Sequence, residues 1–248
     1  MSELKRKQIN KNLVEPYDLF IALLSILSII NIVLYVAFSD KAVLYVIGII
    51  DLLLSIFFFI DFLRKWIRAK SKPQYFAREY GWADLLASFP MPQFKIFRIF
   101  RIIKAYRTFQ DTGLRNVARE LIKNQASSAL FTIIFLIILL LEFASIAILY
   151  VEMKNPQANI DTASDAIWWV YVTITTVGYG DKYPITLGGR VVGVLVMSTG
   201  VGLFGVLTGF LANKFVPKGK QIEKYEKQIK EMNESLDEIK QLLSKNKK

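Results

Sequence analysis

The chain has 248 residues, 53% of them hydrophobic, a net charge of +11 and a mean hydropathy of +0.35. Soluble domains carry about 45–50% apolar residues even with glycine counted, so this chain is apolar beyond what a core requires. It contains no cysteine and no histidine, which removes disulfides, thiolate nucleophiles, the commonest general base and a favoured transition-metal ligand, and with them most hydrolase arrangements. The positive charge suggests nucleic acid at first sight, but a membrane explains it more simply, because the basic residues gather in particular loops between long apolar runs.

Lys5, Arg6, Lys7 and Lys11 precede the first apolar run. That run is too long for the core of a signal peptide and reads as a retained membrane helix. It is predicted from Pro16 to Ala37, roughly the 20 residues that cross a bilayer. The break Ser39-Asp40-Lys41 separates it from a second helix, Val43 to Trp66, and a basic loop follows with Arg64, Lys65, Arg68, Lys70, Lys72 and Arg78. A third helix, Gly81 to Ser88, is too short to span alone unless residues before it contribute; Pro90 and Pro92 end it. The fourth carries Lys95, Arg98, Arg101, Lys104 and Arg107, one basic residue at every third position with mainly Phe and Ile between. On an α-helix such charges spiral slowly around the rod, and on a 3₁₀-helix they fall on one line.

Ionisable groups at bilayer depth cost at least a few kcal/mol, so each needs a partner or a purpose. Asp51 and Asp61 stand ten residues apart on the second helix, close to three turns and hence on one face, with Phe58 on that face too. Asp84 lies on the third helix. Glu142, in the middle of the fifth, is expected to face protein rather than lipid.

An amphipathic connector runs from about Asp111 to Asn124, with Leu114, Val117, Leu121 and Ile122 on one face. Helix five is predicted from Ala126 to Val151. Thr162-Ala163-Ser164-Asp165 then has the form of a capping box at the head of a short apolar helix, Ala166 to Thr175. Directly after it comes Thr176-Val177-Gly178-Tyr179-Gly180-Asp181. Gly178 and Gly180 can take positive φ without a Cβ clash, so successive carbonyls can turn toward one side. Carbonyls turned this way offer a dehydrated cation a dense set of oxygens, and the Thr176 hydroxyl can add one more. Val177 and Tyr179 then point backward and can hold the loop open. Helix six runs from Leu187 to Phe215, with Gly200, Gly202, Gly205 and Gly209, and Pro217 closes it. From Ile222 the apolar residues Ile222, Tyr225, Ile229, Met232, Leu236, Ile239 and Leu243 step by three and four, a heptad seam whose composition leans toward more than two strands.

The pentapeptide Thr176 to Gly180 is the known selectivity-filter sequence of potassium channels, a likeness rather than a derivation. With the flanking helices it makes the chain resemble the voltage-gated-like, six-transmembrane potassium channels, bacterial ones above all. The resemblance implies an all-α membrane protein: a four-helix voltage-sensor domain, a two-helix pore domain with re-entrant pore helix and filter, and a C-terminal coiled coil. The divisions expected are residues 1–15 cytoplasmic, 16–110 sensor-like, 111–125 linker, 126–217 pore and 218–248 coiled coil. It implies K⁺ at Thr176, Val177, Gly178 and Tyr179, and filter bracing by Trp168 and Trp169, typically against Asp181 and Tyr179. Lys95, Arg98, Arg101, Lys104 and Arg107 take the place of gating charges, with Asp51, Asp61 and Asp84 as countercharges and Phe58 capping the site through which each charge passes. Gly200, after Ser198-Thr199, resembles the inner-helix hinge. For Gly202, Gly205 and Gly209, helix packing through small residues is an equal alternative.

Some residues depart from the family pattern. Lys95 and Lys104 stand where relatives often carry arginine, and lysine makes no forked pair. Asp61 stands where many have glutamate, the turn before the fourth helix is very short, and helix six lacks a Pro-Val-Pro kink. The gate is therefore expected near Leu211 to Phe215. If the fourth helix moves, three charges in each of four subunits supply roughly 28 kcal/mol per 100 mV.

The expected protein is thus a homotetrameric, potassium-selective, voltage-gated channel of the plasma membrane with both termini cytoplasmic, lipid around it, no nucleic-acid partner and no cofactor beyond the permeant ion. The alternative is a potassium channel whose sensor is vestigial and whose gate answers to lipid or another stimulus. The basic fourth helix could instead lie on anionic lipid, although a surface helix would show a broader polar face. A membrane enzyme with a sensor needs a catalytic domain that about 30 residues after the last helix are not expected to hold. A transporter should show internal repeats and a site between broken helices, and sodium or calcium selectivity calls for acidic side chains in the filter.

Overall fold

A computed structural model describes residues 15–69, 71–78, 80–89, 97, 99–100, 103, 125–215, 225–236 and 239. The helices in order are α1 (Pro16–Ala37), α2 (Lys41–Arg68), α3 (Lys72–Arg78), α4 (Gly81–Leu86), α5 (Gln125–Glu152), α6 (Ala163–Ile174) and α7 (Leu187–Phe215). A further helix, α8, covers 225–236. Among the described residues four helices are long and apolar enough to cross a membrane: α1, α2, α5 and α7. The predicted third helix is the short α4, and the basic fourth helix and the connector lie almost wholly outside the described residues.

Local chemistry accounts for the boundaries. Pro16 starts α1, where its missing N–H costs nothing. Asp40 caps α2 by accepting from the Ala42 N–H at 2.8 Å and the Val43 N–H at 3.4 Å. That cap starts α2 two residues ahead of the expected Val43.

The chain falls into two units, residues 1–205 and 206–248. In the first, α1 and α2 pack against α5 through Phe20, Leu24, Leu27, Ile50, Leu54, Phe58 and Ile138, all buried. Phe20 stacks on Phe131 with ring centroids 5.3 Å apart. A second cluster joins Val43, Val46 and Ile47 of α2 to Ile148 and Leu149 of α5 and to Ala166, Trp169 and Val170 of α6. These helices hold α6 on one side. α7 approaches it from another: a Cβ on Gly200 would sit 2.9 Å from the Ile174 Cα, so only glycine allows this contact.

In the second unit, Tyr225, Ile229, Met232, Leu236 and Ile239 are all exposed. Among the described residues the heptad seam is therefore uncovered, and Ile222 and Leu243 lie outside them.

Candidate functional site: the filter segment and its braces

Thr162 caps α6, its Oγ1 accepting from the Asp165 N–H at 3.1 Å. The expected reciprocal contact runs between side chains, since the Thr162 hydroxyl donates to Asp165 Oδ2 at 2.7 Å. The cap opens the helix at Ala163, three residues before the expected start. At the other end the chain leaves α6 directly into residues 176–180. The N–H groups of Thr176 and Val177 donate to the Thr173 and Val172 carbonyls at 3.1 Å each, and that of Gly178 reaches Val172 O at 3.4 Å. The filter segment thus hangs from the last turn of α6, satisfying carbonyls that a helix end otherwise leaves bare.

Along this segment φ is +61° at Thr176, +57° at Gly178 and +78° at Gly180. Positive φ at every second residue is the alternation inferred for the two glycines. Thr176 joining them was not foreseen, because a β-branched residue resists that region and costs of order 1–3 kcal/mol there. Val177 and Tyr179 are exposed.

The paired tryptophans divide their work. Trp168 Nε1 donates to Asp181 Oδ2 at 2.8 Å, and its ring stacks on Tyr179 at 5.8 Å with planes 3° apart. Trp169 is buried in the core cluster, while the hydrogen bond to Asp181 and the stack on Tyr179 belong to Trp168. Successive helix positions point about 100° apart, which separates the two rings.

Polar contacts that the sequence did not reveal complete the bracing. Asn159 Nδ2 donates to the Asp181 carbonyl at 3.3 Å, and the Tyr183 N–H returns to Asn159 Oδ1 at 3.3 Å. Lys182 Nζ donates to Asn159 O at 2.6 Å and pairs with Asp165 Oδ1 at 2.8 Å. Burial would raise the Asp165 pKa, but the Lys182 ammonium and the Thr162 hydroxyl outweigh it and hold the carboxyl below its ordinary value. Glu152, fully buried at the end of α5, accepts from the N–H groups of Ile185 at 3.1 Å and Thr186 at 3.0 Å and from the Thr186 hydroxyl at 2.6 Å. That hydroxyl in turn accepts from the Gly189 N–H at 2.9 Å, capping α7. A Cβ on Gly189 would lie 2.0 Å from Glu152 Oε1, so glycine is required beside the carboxylate. A Thr-x-x-Gly at the head of α7 and an acid at the foot of α5 were the only sequence traces of this clasp.

The acids of α2, α4 and α5 face inward. Asp51 and Asp61 are both buried, as their shared face predicts. Asp51 Oδ1 lies 3.4 Å from the Ser28 hydroxyl and 3.5 Å from Asn31 Nδ2. Asp61 Oδ2 accepts from Lys65 Nζ at 2.7 Å. Asp84 Oδ2 accepts from the Tyr75 hydroxyl at 3.1 Å. Phe58 is buried against Leu54 and Phe20, and Glu142 is buried as expected. Lys95, Arg98, Arg101, Lys104 and Arg107 all lie outside the described residues. Of the positions among them, Phe97 and Phe100 meet Trp82 at 5.8 Å each. Gly200 is packed tightly against Ile174, while a Cβ on Gly202 would meet nothing within 4 Å among the described residues. Of these two, close packing therefore falls to the position read as a hinge.

Residues 15–221 match the profile of a family described as "Ion transport protein". The chain belongs to that family. It is a membrane protein of a family that moves ions and not of a family of enzymes. Over 73 residues, 29% of the chain and 25% of the relative, it is 44% identical to a voltage-gated potassium channel of Aeropyrum pernix. Over 69 residues, 28% of the chain and 13% of the relative, it is 46% identical to potassium voltage-gated channel subfamily A member 10 of Gallus gallus. A longer match, 195 residues at 26% identity, joins 68% of the chain to 44% of the human voltage-gated potassium channel regulatory subunit KCNG3. The chain thus spans less than half the length of each of these relatives.

Proposed function

We propose that this ion transport protein is a homotetrameric, potassium-selective channel that conducts passively across the plasma membrane and opens or closes with voltage. The observation that carries the reading is the segment 176–180, with positive φ at every second residue from Thr176 to Gly180 and its first N–H groups anchored on α6. Four such segments around one axis would replace the hydration shell of K⁺ with peptide oxygens, and the negative end of each α6 would favour the cation. The relatives named as voltage-gated potassium channels support the same reading.

Residues 16–110 would sense voltage, 126–217 conduct and 218–248 assemble the tetramer through the exposed heptad seam as a parallel four-stranded bundle. The two buried acids of α2, together with Asp84, are suited to receive basic groups of the fourth helix. The lower part of α7 would splay about Gly200 to open a gate near Leu211 to Phe215, with both termini in the cytoplasm. Purified protein in a planar bilayer between unequal potassium and sodium solutions tests this. Currents should reverse at the potassium equilibrium potential and vary with voltage; reversal at the sodium potential overturns the proposal.

A further inference from the structure

Between Asp61 and Glu79 the chain carries six basic residues, Arg64, Lys65, Arg68, Lys70, Lys72 and Arg78, and no acidic one. Two of them are committed within the protein. Arg64 pairs with Glu15 and lies 4.1 Å over the Tyr17 ring, and Lys65 pairs with Asp61. Arg68 and Lys72 are exposed and have no acidic partner among the described residues. Lys72 is instead held 5.8 Å over the ring of Trp66.

The surface beneath Lys72 is aromatic. Trp66 meets Tyr75 and Phe76 at 6.3 Å each. Phe76 is 40% exposed and Ile67 77% exposed; Ile67 adjoins Arg68 in sequence, and Phe76 follows Lys72 by four residues on α3. A freely soluble anion would satisfy Arg68 and Lys72 but leave these side chains in water. A molecule with a phosphate above and hydrocarbon below covers both at once. Aromatic rings beside basic residues at the end of a spanning helix are also what sits at headgroup level in a bilayer.

We propose that Arg68 and Lys72, with Trp66, Ile67 and Phe76, form a binding site for the headgroup of an anionic glycerophospholipid. The proposal deepens the membrane partnership of the protein by naming a lipid class. It rests on the membrane embedding of α2 and stands or falls whether or not the protein conducts.

The absence of cysteine allows a direct test. Ser71, exposed between the two cations, is replaced in S71C and labelled with a small fluorophore, and the full chain is reconstituted in vesicles with brominated lipids. Brominated phosphatidylglycerol should quench the label with about thirtyfold stronger association than brominated phosphatidylcholine, as expected for two basic groups near a headgroup. R68Q/K72Q should bring that ratio to near one, while K41Q, which removes one positive charge at the far end of α2, should leave it unchanged. Equal quenching by the two lipids in S71C alone overturns the proposal, as does a ratio that survives R68Q/K72Q. Loss of the preference on adding millimolar glycerol phosphate would assign the site to a soluble anion and overturn it too. Both substituted positions are exposed, so the assembly size measured on a gel-filtration column should not change. If it does, R68K/K72R, which keeps the charge, must retain the preference.

Discussion

The α1–α2–α5 packing and the α6–filter–α7 hairpin use polar groups in opposite ways. In the first, side chains such as Asp51 and Glu142 are buried inside the helix packing, and half of the α5 span is covered by the chain itself. In the second, only 17% of the α7 span is covered, yet the backbone is held by a dense set of local bonds from Trp168, Asn159, Lys182 and Glu152. One region covers about half of its spans within a chain. The other is locally rigid and leaves its apolar faces for something else to cover, which is how a part shared among copies should be built.

The sharpest way to break this contrast is at the filter. Gly178→Ala forces a Cβ onto φ +57°, and conduction through reconstituted protein should vanish or lose potassium selectivity while the helical content stays constant. Next comes the clasp. Glu152→Ala leaves two partly buried N–H groups without their acceptor, at about 1 kcal/mol for each, the low end of the range for buried groups. Thermal unfolding should therefore start several degrees lower, whereas truncating exposed Val191 should change little. A melting curve that does not move for Glu152→Ala would remove the clasp from the account.

Under the proposed hinge Gly200→Ala should lower the open probability, and its Cβ would also press on Ile174 at 2.9 Å in the present packing. Unchanged open probability in single-channel records would count against both the contact and the hinge. The smallest effect concerns pH. The Asp165 pKa is held down in the folded chain, so the stabilisation from its pair with Lys182 is present above the ordinary carboxylate range and fades as pH falls through the depressed value. Acidification below that range should therefore loosen the filter surround in wild type, seen as faster hydrogen exchange at residues 159–183. Lys182→Gln should remove most of this pH dependence.

How much was legible in the sequence follows the same divide. The run Pro16 to Ala37 announces its helix at both ends, since hydropathy decides where a spanning segment lies. Thr162 likewise announces the cap of α6, because capping is a matter of neighbours in sequence. Glu152 gave no such sign: its partners stand 33 and 34 residues away and are backbone N–H groups that no side-chain pattern encodes. Trp168 and Trp169 form an unmistakable pair, but which one reaches the filter depends on how α6 is rotated against α5. The positive φ of Thr176 is set by the alternation of the loop against the preference of its own residue.

Because Glu152 and Thr186 meet, residues 153–185 are pinched off at their base by a single carboxylate. The hairpin is thus a cassette whose two ends are fastened to each other by their own side chains, in addition to the packing of α6 on the spanning helices. Such an insert should be portable: moved into another two-helix membrane scaffold with its glutamate, threonine and Gly189, it is expected to keep the Trp168 stack on Tyr179, readable by tryptophan fluorescence. A graft that loses this stack while retaining all three residues would show that the spanning helices, and not the clasp, shape the hairpin.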